Sequence, residues 1–224
     1  MEPACERLRG LYAITDARLQ SPDTLYQRVS LAIDGGASII QYRDKSADRR
    51  LRLEQAQALV ELCRARGARL IVNDDVTLAA TCGADGVHLG RDDAGLAAAR
   101  QRLGNTAIIG VSCYNSLELA EAAVGQGADY LAFGRFFPSQ TKPDAVQADL
   151  ELIREAKRRW PLPIAAIGGI TADNAAMLLS AGADMLAVVQ GVFAAADVRE
   201  AATRYAALFN RHHNDGAPSA RSSG

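Results

Sequence analysis

Gly36-Ala37-Ser38-Ile39-Ile40-Gln41-Tyr42-Arg43-Asp44-Lys45 joins a helix stop, a buried strand and a polar exit in one run. The glycine suits the left-handed turn that closes a helix, a conformation costly for residues that carry a β-carbon. Ser38-Ile39-Ile40 then reads as a strand, and along an extended chain alternate side chains share a face. Gln41, Arg43 and Lys45 therefore point one way, Tyr42 and Asp44 the other. Two cations and an amide at the end of a buried strand need a partner, because an unpaired buried charge is costly. For a single Arg or Lys, a salt-bridged strand end reaching solvent is enough. Three alternating polar groups read instead as an anion site of the kind a phosphate fills.

The same Gly-Ala junction recurs at Gly67-Ala68, Gly83-Ala84, Gly127-Ala128 and Gly182-Ala183. Each time it follows a helix-like segment and precedes a short β-rich run, the mark of a repeated βα unit. Reading outward predicts eight strands, at 11–15, 38–42, 69–73, 86–89, 107–111, 130–133, 163–167 and 185–189. Most are near-continuous apolar runs, as in strands covered on both faces. Helices are predicted at 24–34, 51–66, 94–103, 117–126, 148–159, 174–181 and 198–210. Leu51, Leu53, Ala56, Leu59, Val60, Leu62 and Cys63 give the second of these a broad apolar stripe. The helix after Asn73 is the least defined. Alternation of this kind within 224 residues predicts a single (β/α)8 TIM barrel. It spans 11–211, after an N-terminal extension (1–10) and before a flexible tail (212–224) without apolar periodicity. His212 and His213, in that tail, read as solvated rather than metal-binding.

Composition narrows the function classes. Hydrophobic residues make up 49% and charged residues 23%, and the net charge is −1, so no basic field invites nucleic acid or an anionic membrane. Any anion site must be local. Cys5, Cys63, Cys82 and Cys113 are scattered and form no CxxC pair, which suits reduced thiols of a cytoplasmic protein. The first residues, with Glu2, Glu6, Arg7 and Arg9, lack the apolar centre of a signal peptide, and no run is long enough for a membrane helix. A homo-oligomer is compatible with all of this.

In a barrel of this class the reacting groups sit where strands end. Thr15-Asp16, Gln41/Arg43/Lys45, Asn73-Asp74-Asp75, Gly90-Arg91-Asp92-Asp93, Ser112, Gly134, Gly168-Gly169 and Gln190-Gly191 all fall at that end. Asp74 and Asp93 follow neighbouring strands. Singly each reads as a helix cap, but beside the Arg/Lys/Gln cluster they read as sharing a hard cation such as Mg²⁺, which takes one or two carboxylates plus substrate oxygens. Asp75 and Asp92 read as caps or as support. Ser139-Gln140-Thr141-Lys142, between Pro138 and Pro143, forms a long loop with donors for an anion. Gly168-Gly169-Ile170-Thr171 and Gly191 allow close backbone approach to a phosphate, in the loops where this fold usually binds one. Two anion sites result, one suited to a pyrophosphate with Mg²⁺ and one to a monophosphate. His88 is the one histidine outside the tail and reads as a packed, hydrogen-bonded residue rather than a base, and no nucleophile set is present.

Tyr12-Ala-Ile-Thr15, Gln41-x-Arg43-x-Lys45, Asn73-Asp74, His88-Leu-Gly90-x-x-Asp93, Gly110-Val-Ser112, Thr141-Lys142 and Gly168-Gly169-Ile170 together resemble the thiamine-phosphate synthase family. The resemblance runs from about Leu11 to Asn210. It implies a transferase of thiamine biosynthesis that condenses hydroxymethylpyrimidine pyrophosphate with thiazole phosphate, by a dissociative, Mg²⁺-assisted route. It further implies that Gln41, Arg43, Lys45, Asn73 and Lys142 hold the pyrimidine pyrophosphate and that Asp74 and Asp93 ligate Mg²⁺. Ser112 contacts the pyrimidine or leaving group, Thr141 and Gly169 bind the thiazole phosphate, and Arg43, Lys45, Ser112 and Lys142 form the catalytic set. Ser139 stands where the family often has threonine, Arg91 where it often has glutamine, and Gln190 where some members have serine in the last phosphate loop. A thiazole tautomerase, a sugar-phosphate isomerase or epimerase, and a non-catalytic phosphate-ligand sensor are the rival readings.

Overall fold

The computed structural model describes residues 8–90, 95–138 and 148–215, the last five by backbone alone. Strands and helices alternate as β1 (Gly10–Ile14), α1 (Pro22–Asp34), β2 (Ala37–Tyr42), α2 (Arg49–Arg66), β3 (Arg69–Asn73), α3 (Val76–Cys82), β4 (Gly86–Leu89) and α4 (Leu96–Leu103). They continue as β5 (Ile108–Tyr114), α5 (Leu117–Gly125), β6 (Tyr130–Phe133), α6 (Leu150–Arg159), β7 (Ile164–Ile167), α7 (Ala175–Ala181), β8 (Met185–Val188), α8 (Gln190–Phe193) and α9 (Val198–Asp215). The strands pair in parallel in sequence order, and β1 closes on β8. This is the TIM barrel expected from the Gly-Ala repeat.

The junction glycines carry the conformation that selects them. Gly36, Gly67, Gly83, Gly127 and Gly182 all have positive φ, from 71° to 109°. After three of these junctions the next residue is an aspartate that ties the strand foot to its neighbour. Asp85 accepts from the backbone N–H of Leu70, Asp129 from Ile109 and Asp184 from Ile164, each at 2.7–2.8 Å. Each carboxylate is also paired with a cation, Arg69, Arg100 and Lys157 respectively. Charge-assisted bonds to backbone donors are about twice as strong as neutral ones. We predict that Asp184→Ala lowers stability by about 1–3 kcal/mol, read as a lower thermal midpoint, with substrate KM unchanged because the residue lies at the opposite end of the barrel. An unchanged midpoint would count against this role.

The core has two shells. Tyr12, Ile14, Ile39, Ile71, Ile108, Tyr130, Ala165 and Met185 fill the barrel, and Leu8 joins them just ahead of β1. Leu11, Ala13, Ile40, Tyr42, Leu70 and Val72 face outward and pack beneath the helices. Alternation along β1 and β2 thus sorts side chains between shells, and the Tyr42 hydroxyl donates to Gln55 of α2 at 2.7 Å. Cys63, Cys82 and Cys113 are free and buried; burial pushes the Cys63 and Cys113 thiols up to about 12.

Most boundaries agree within two residues, and three elements differ by more. β5 does not stop at Val111 but continues through Ser112 to Tyr114, still paired with β6 across an irregular register. Gln190-Gly191 does not form a loop but starts α8, whose four residues are too few to leave a periodic trace. α9 runs to Asp215, past the expected end at Asn210. No helix among the described residues is long and apolar enough to cross a membrane.

Candidate active site

The C-terminal ends of β1 and β2 stay locked beyond the last ladder pair. Thr15 donates its N–H to the Gln41 carbonyl at 2.9 Å, and the Thr15 hydroxyl accepts from the Arg43 N–H at 2.8 Å. These bonds hold Arg43 half-buried at the mouth whatever its side chain does. Beside it, buried Asp16 is gripped by Arg18, at 2.6 Å. That bond, with a smaller contribution from Arg43, holds the Asp16 carboxyl below its ordinary range.

One strand along, the β3 exit turns sharply. Asp74 has φ 62°, a left-handed conformation that Asn and Asp tolerate better than most residues, and its N–H donates to the His88 carbonyl at 2.9 Å. Capping of α3 falls to Asp75, which accepts from the Leu78 N–H and pairs with Arg52 at 2.9 Å. Asp74 instead faces Lys45, with Nζ 3.8 Å from Oδ2. Lys45, Asn73, Asp74, Asp75 and Arg52 line a groove of about 470 Å³ over this rim. Carboxylate and amide oxygens next to a cation are hard donors that fit Mg²⁺ with substrate oxygens completing its shell. Among the described residues no group of three His, Cys, Asp or Glu side chains is placed to hold a metal ion.

Below the rim, Gln41 is turned into the barrel and buried. One of its amide N–H groups donates to the Tyr12 hydroxyl at 2.8 Å, and Tyr12 meets the Tyr130 hydroxyl at 2.8 Å. Tyr130 lies 2.9 Å from His88 Nδ1, and His88 Nε2 lies 2.8 Å from Ser112 Oγ. Five residues from β1, β2, β4, β5 and β6 thereby form one connected line. Burial pushes both phenols far above their usual range. Tyr130 rises from the foot of β6, and its ring occupies the space a β-carbon at Gly110 would take, 1.9 Å from Cζ. Gly110 is therefore the seat of a tyrosine rather than a turn or phosphate glycine. We predict that Gly110→Ala displaces the ring and costs about 1–3 kcal/mol, detected as a fall in thermal midpoint. A midpoint equal to wild type refutes the seat.

Close contacts set the turns after β7 and β8. Gly168 and Gly169 have φ of 104° and 64°, and β-carbons there would strike Arg135 and the carbonyls of Phe137 and Pro138. Asn174 closes this turn by donating to the Gly169 carbonyl at 3.0 Å. Gly191 has a different reason: a β-carbon would lie 2.1 Å from the Tyr205 hydroxyl, which donates to the Ile170 carbonyl. The far end of α8 is held by Arg28, whose guanidinium donates to the Phe193 carbonyl. Gln190 and Gly191 are exposed at its start.

Gln41, Arg43, Lys45, Asn73, Asp74 and Ser112 thus lie toward the C-terminal ends of β2, β3 and β5, with Gly169 in the loop after β7 and Gln190 and Gly191 at the start of α8. Asp93, Ser139, Thr141 and Lys142, with Arg91, lie outside the described residues. The sequence reading assigned no role to Tyr12 or Tyr130. Their signal was a tyrosine at an inward strand position, where a buried phenol needs a partner.

Comparison with known proteins shows what the chain is similar to. Residues 11–192 match the family model described as thiamine monophosphate synthase. Curated relatives named thiamine-phosphate synthase include one from Nitrosococcus oceani, 52% identical over 198 residues, covering 88% of this chain and 91% of that protein. Another, from Methylococcus capsulatus, is 54% identical over 202 residues, covering 90% of each. Among solved structures, the thiamine phosphate pyrophosphorylase from Pyrococcus furiosus superposes with a TM-score of 0.83 at 38% identity, covering 91% of this chain and 96% of that one. A 3-hexulose-6-phosphate synthase, at 17% identity and TM-score 0.64, shares the fold alone.

Proposed function

The chain belongs to the thiamine monophosphate synthase family, and we propose that its barrel mouth joins hydroxymethylpyrimidine pyrophosphate to thiazole phosphate, releasing pyrophosphate and forming thiamine phosphate. The observation that carries this reading is the groove lined by Lys45, Asn73 and Asp74, with half-buried Arg43 between Gln41 and Lys45 at the end of β2, and buried Gln41 and half-buried Ser112 deeper in the barrel. A diphosphate fits the charged rim, and a small heteroaromatic ring fits the polar floor beneath it.

Arg43, Lys45, Asn73 and Lys142 hold the diphosphate, and Arg43, Lys45 and Lys142 meet the charge that builds on it as the carbon–oxygen bond to the pyrimidine methylene breaks. Stabilising developing charge is commonly the largest catalytic contribution. Asp74 and Asp93 would hold Mg²⁺, which would supply positive charge to offset that of the departing diphosphate. Gln41 and Ser112 orient the pyrimidine ring, whose amino group donates electron density to the cationic methylene. The thiazole nitrogen then forms the new carbon–nitrogen bond. Thr141 and Ser139, with the backbone of Gly169, Gln190 and Gly191, hold the thiazole phosphate and so keep the nucleophile close. The reaction needs no side-chain nucleophile and no general base, consistent with His88 being occupied by hydrogen bonds. The predicted setting is the cytoplasm, with small molecules as partners.

Incubating the purified protein with both substrates and Mg²⁺ tests the reading. Thiamine phosphate and pyrophosphate should appear in equal amounts. Isomerised thiazole phosphate without condensation points to the tautomerase, and binding without turnover to the sensor; either overturns the proposal.

A further inference from the structure

The line Gln41–Tyr12–Tyr130–His88–Ser112 has a direction. The Gln41 amide nitrogen faces Tyr12, so the Tyr12 oxygen accepts, and its own proton points to Tyr130, 2.8 Å away. Tyr130 then accepts from Tyr12 and sends its single proton to His88 Nδ1. Were His88 to donate from Nδ1 instead, the Tyr130 proton would turn toward Tyr12. The Tyr12 O–H would then oppose the Gln41 N–H and lose its acceptor. A buried hydroxyl left without an acceptor is costly, and that decides between the arrangements. With Nδ1 accepting, a neutral imidazole carries its proton on Nε2, which donates to Ser112 Oγ. Ser112, accepting from Nε2, then has its own proton to give to another acceptor.

We propose that Tyr12 and Tyr130 are positioning residues whose one-way hydrogen-bond relay fixes the His88 tautomer and makes Ser112 a donor to the substrate. The acceptor it serves is a ring nitrogen or a phosphate oxygen. This rests on the reading of Ser112 as a substrate contact, but the relay itself belongs to the protein without substrates. Gly110 makes it buildable, by admitting the Tyr130 ring that spans from the foot of β6 to His88 on β4.

The test is ¹⁵N NMR of the full chain labelled at histidine, without substrates at neutral pH, with Tyr130→Phe and His88→Gln for comparison. The signal absent from His88→Gln identifies His88. Expected in wild type is one neutral tautomer, protonated at Nε2, with Nδ1 an acceptor. In Tyr130→Phe the Nδ1 signal should move as that nitrogen loses its donor, and KM for the pyrimidine substrate should rise about tenfold, the loss of one hydrogen bond of about 1.4 kcal/mol. A wild-type His88 protonated at Nδ1 overturns the proposal, since it means a reversed line in which Ser112 gives its proton to His88. So does an imidazolium, or an Nδ1 signal unmoved in Tyr130→Phe. If Tyr130→Phe does not fold, the wild-type tautomer alone decides. Failure to form thiamine phosphate would instead refute the assigned reaction and leave the NMR result standing.

Discussion

Arg43→Ala is expected to lower kcat/KM for the pyrimidine substrate by about a hundredfold or more, with little change in thermal midpoint. Preorganised donors aimed at developing charge are worth about 2.7–4 kcal/mol each in comparable sites. The strand does not depend on this side chain, because Thr15 holds the Arg43 backbone N–H and receives the support of the β1–β2 ladder. Activity and stability should therefore separate. Arg43→Lys should recover only part of the loss, since an ammonium keeps the charge but not the planar fork that matches phosphate oxygens. Steady-state kinetics beside thermal melts check this. A kcat/KM within twofold of wild type for Arg43→Ala would remove Arg43 from the catalytic set.

Asp74→Asn should lower kcat by about a hundredfold and raise the Mg²⁺ concentration for half-maximal rate. Asparagine is the informative choice because it tolerates the left-handed backbone at φ 62° and changes only the charge. The Lys45 pair lost with it is 3.8 Å long and mostly exposed on the lysine side, so its contribution to stability is about 0–1 kcal/mol. An Mg²⁺ titration and a melt separate the two roles. If the variant matches wild type in its Mg²⁺ requirement, Asp74 is not a ligand.

The barrel was legible because its signals are local. A glycine at a helix end needs no neighbour in space to adopt positive φ, and apolar runs on Ile39-Ile40, Leu70-Ile71-Val72 or Leu131-Ala132-Phe133 need only the strand period. The same period put Gln41 and Arg43 on the inner face and Tyr42 on the outer. Local signals fail where elements are short or polar. α8 is a single turn, and β5 carries Ser112, Cys113 and Tyr114 past the end of its apolar run.

The candidate site divides along the same line. Which residues crowd the C-terminal rim followed from chain order, since in a repeated βα unit the residue after each strand must lie at one end. Which of them touch did not follow. Tyr12 and Tyr130 are 118 positions apart, and nothing along the chain reveals that Gly110 leaves room for one of them to reach His88. Asp75 and not Asp74 caps α3 because the backbone reverses at Asp74, turning one carboxylate to the helix and the other to Lys45. Sequence by itself determined the barrel, its polar rim and the phosphate chemistry, because strand period, helix stops and residue charge act over a few bonds. Closure of β1 on β8 alone decided the buried relay, because contact across a barrel interior depends on ring reach and empty volume contributed by strands far apart in the chain.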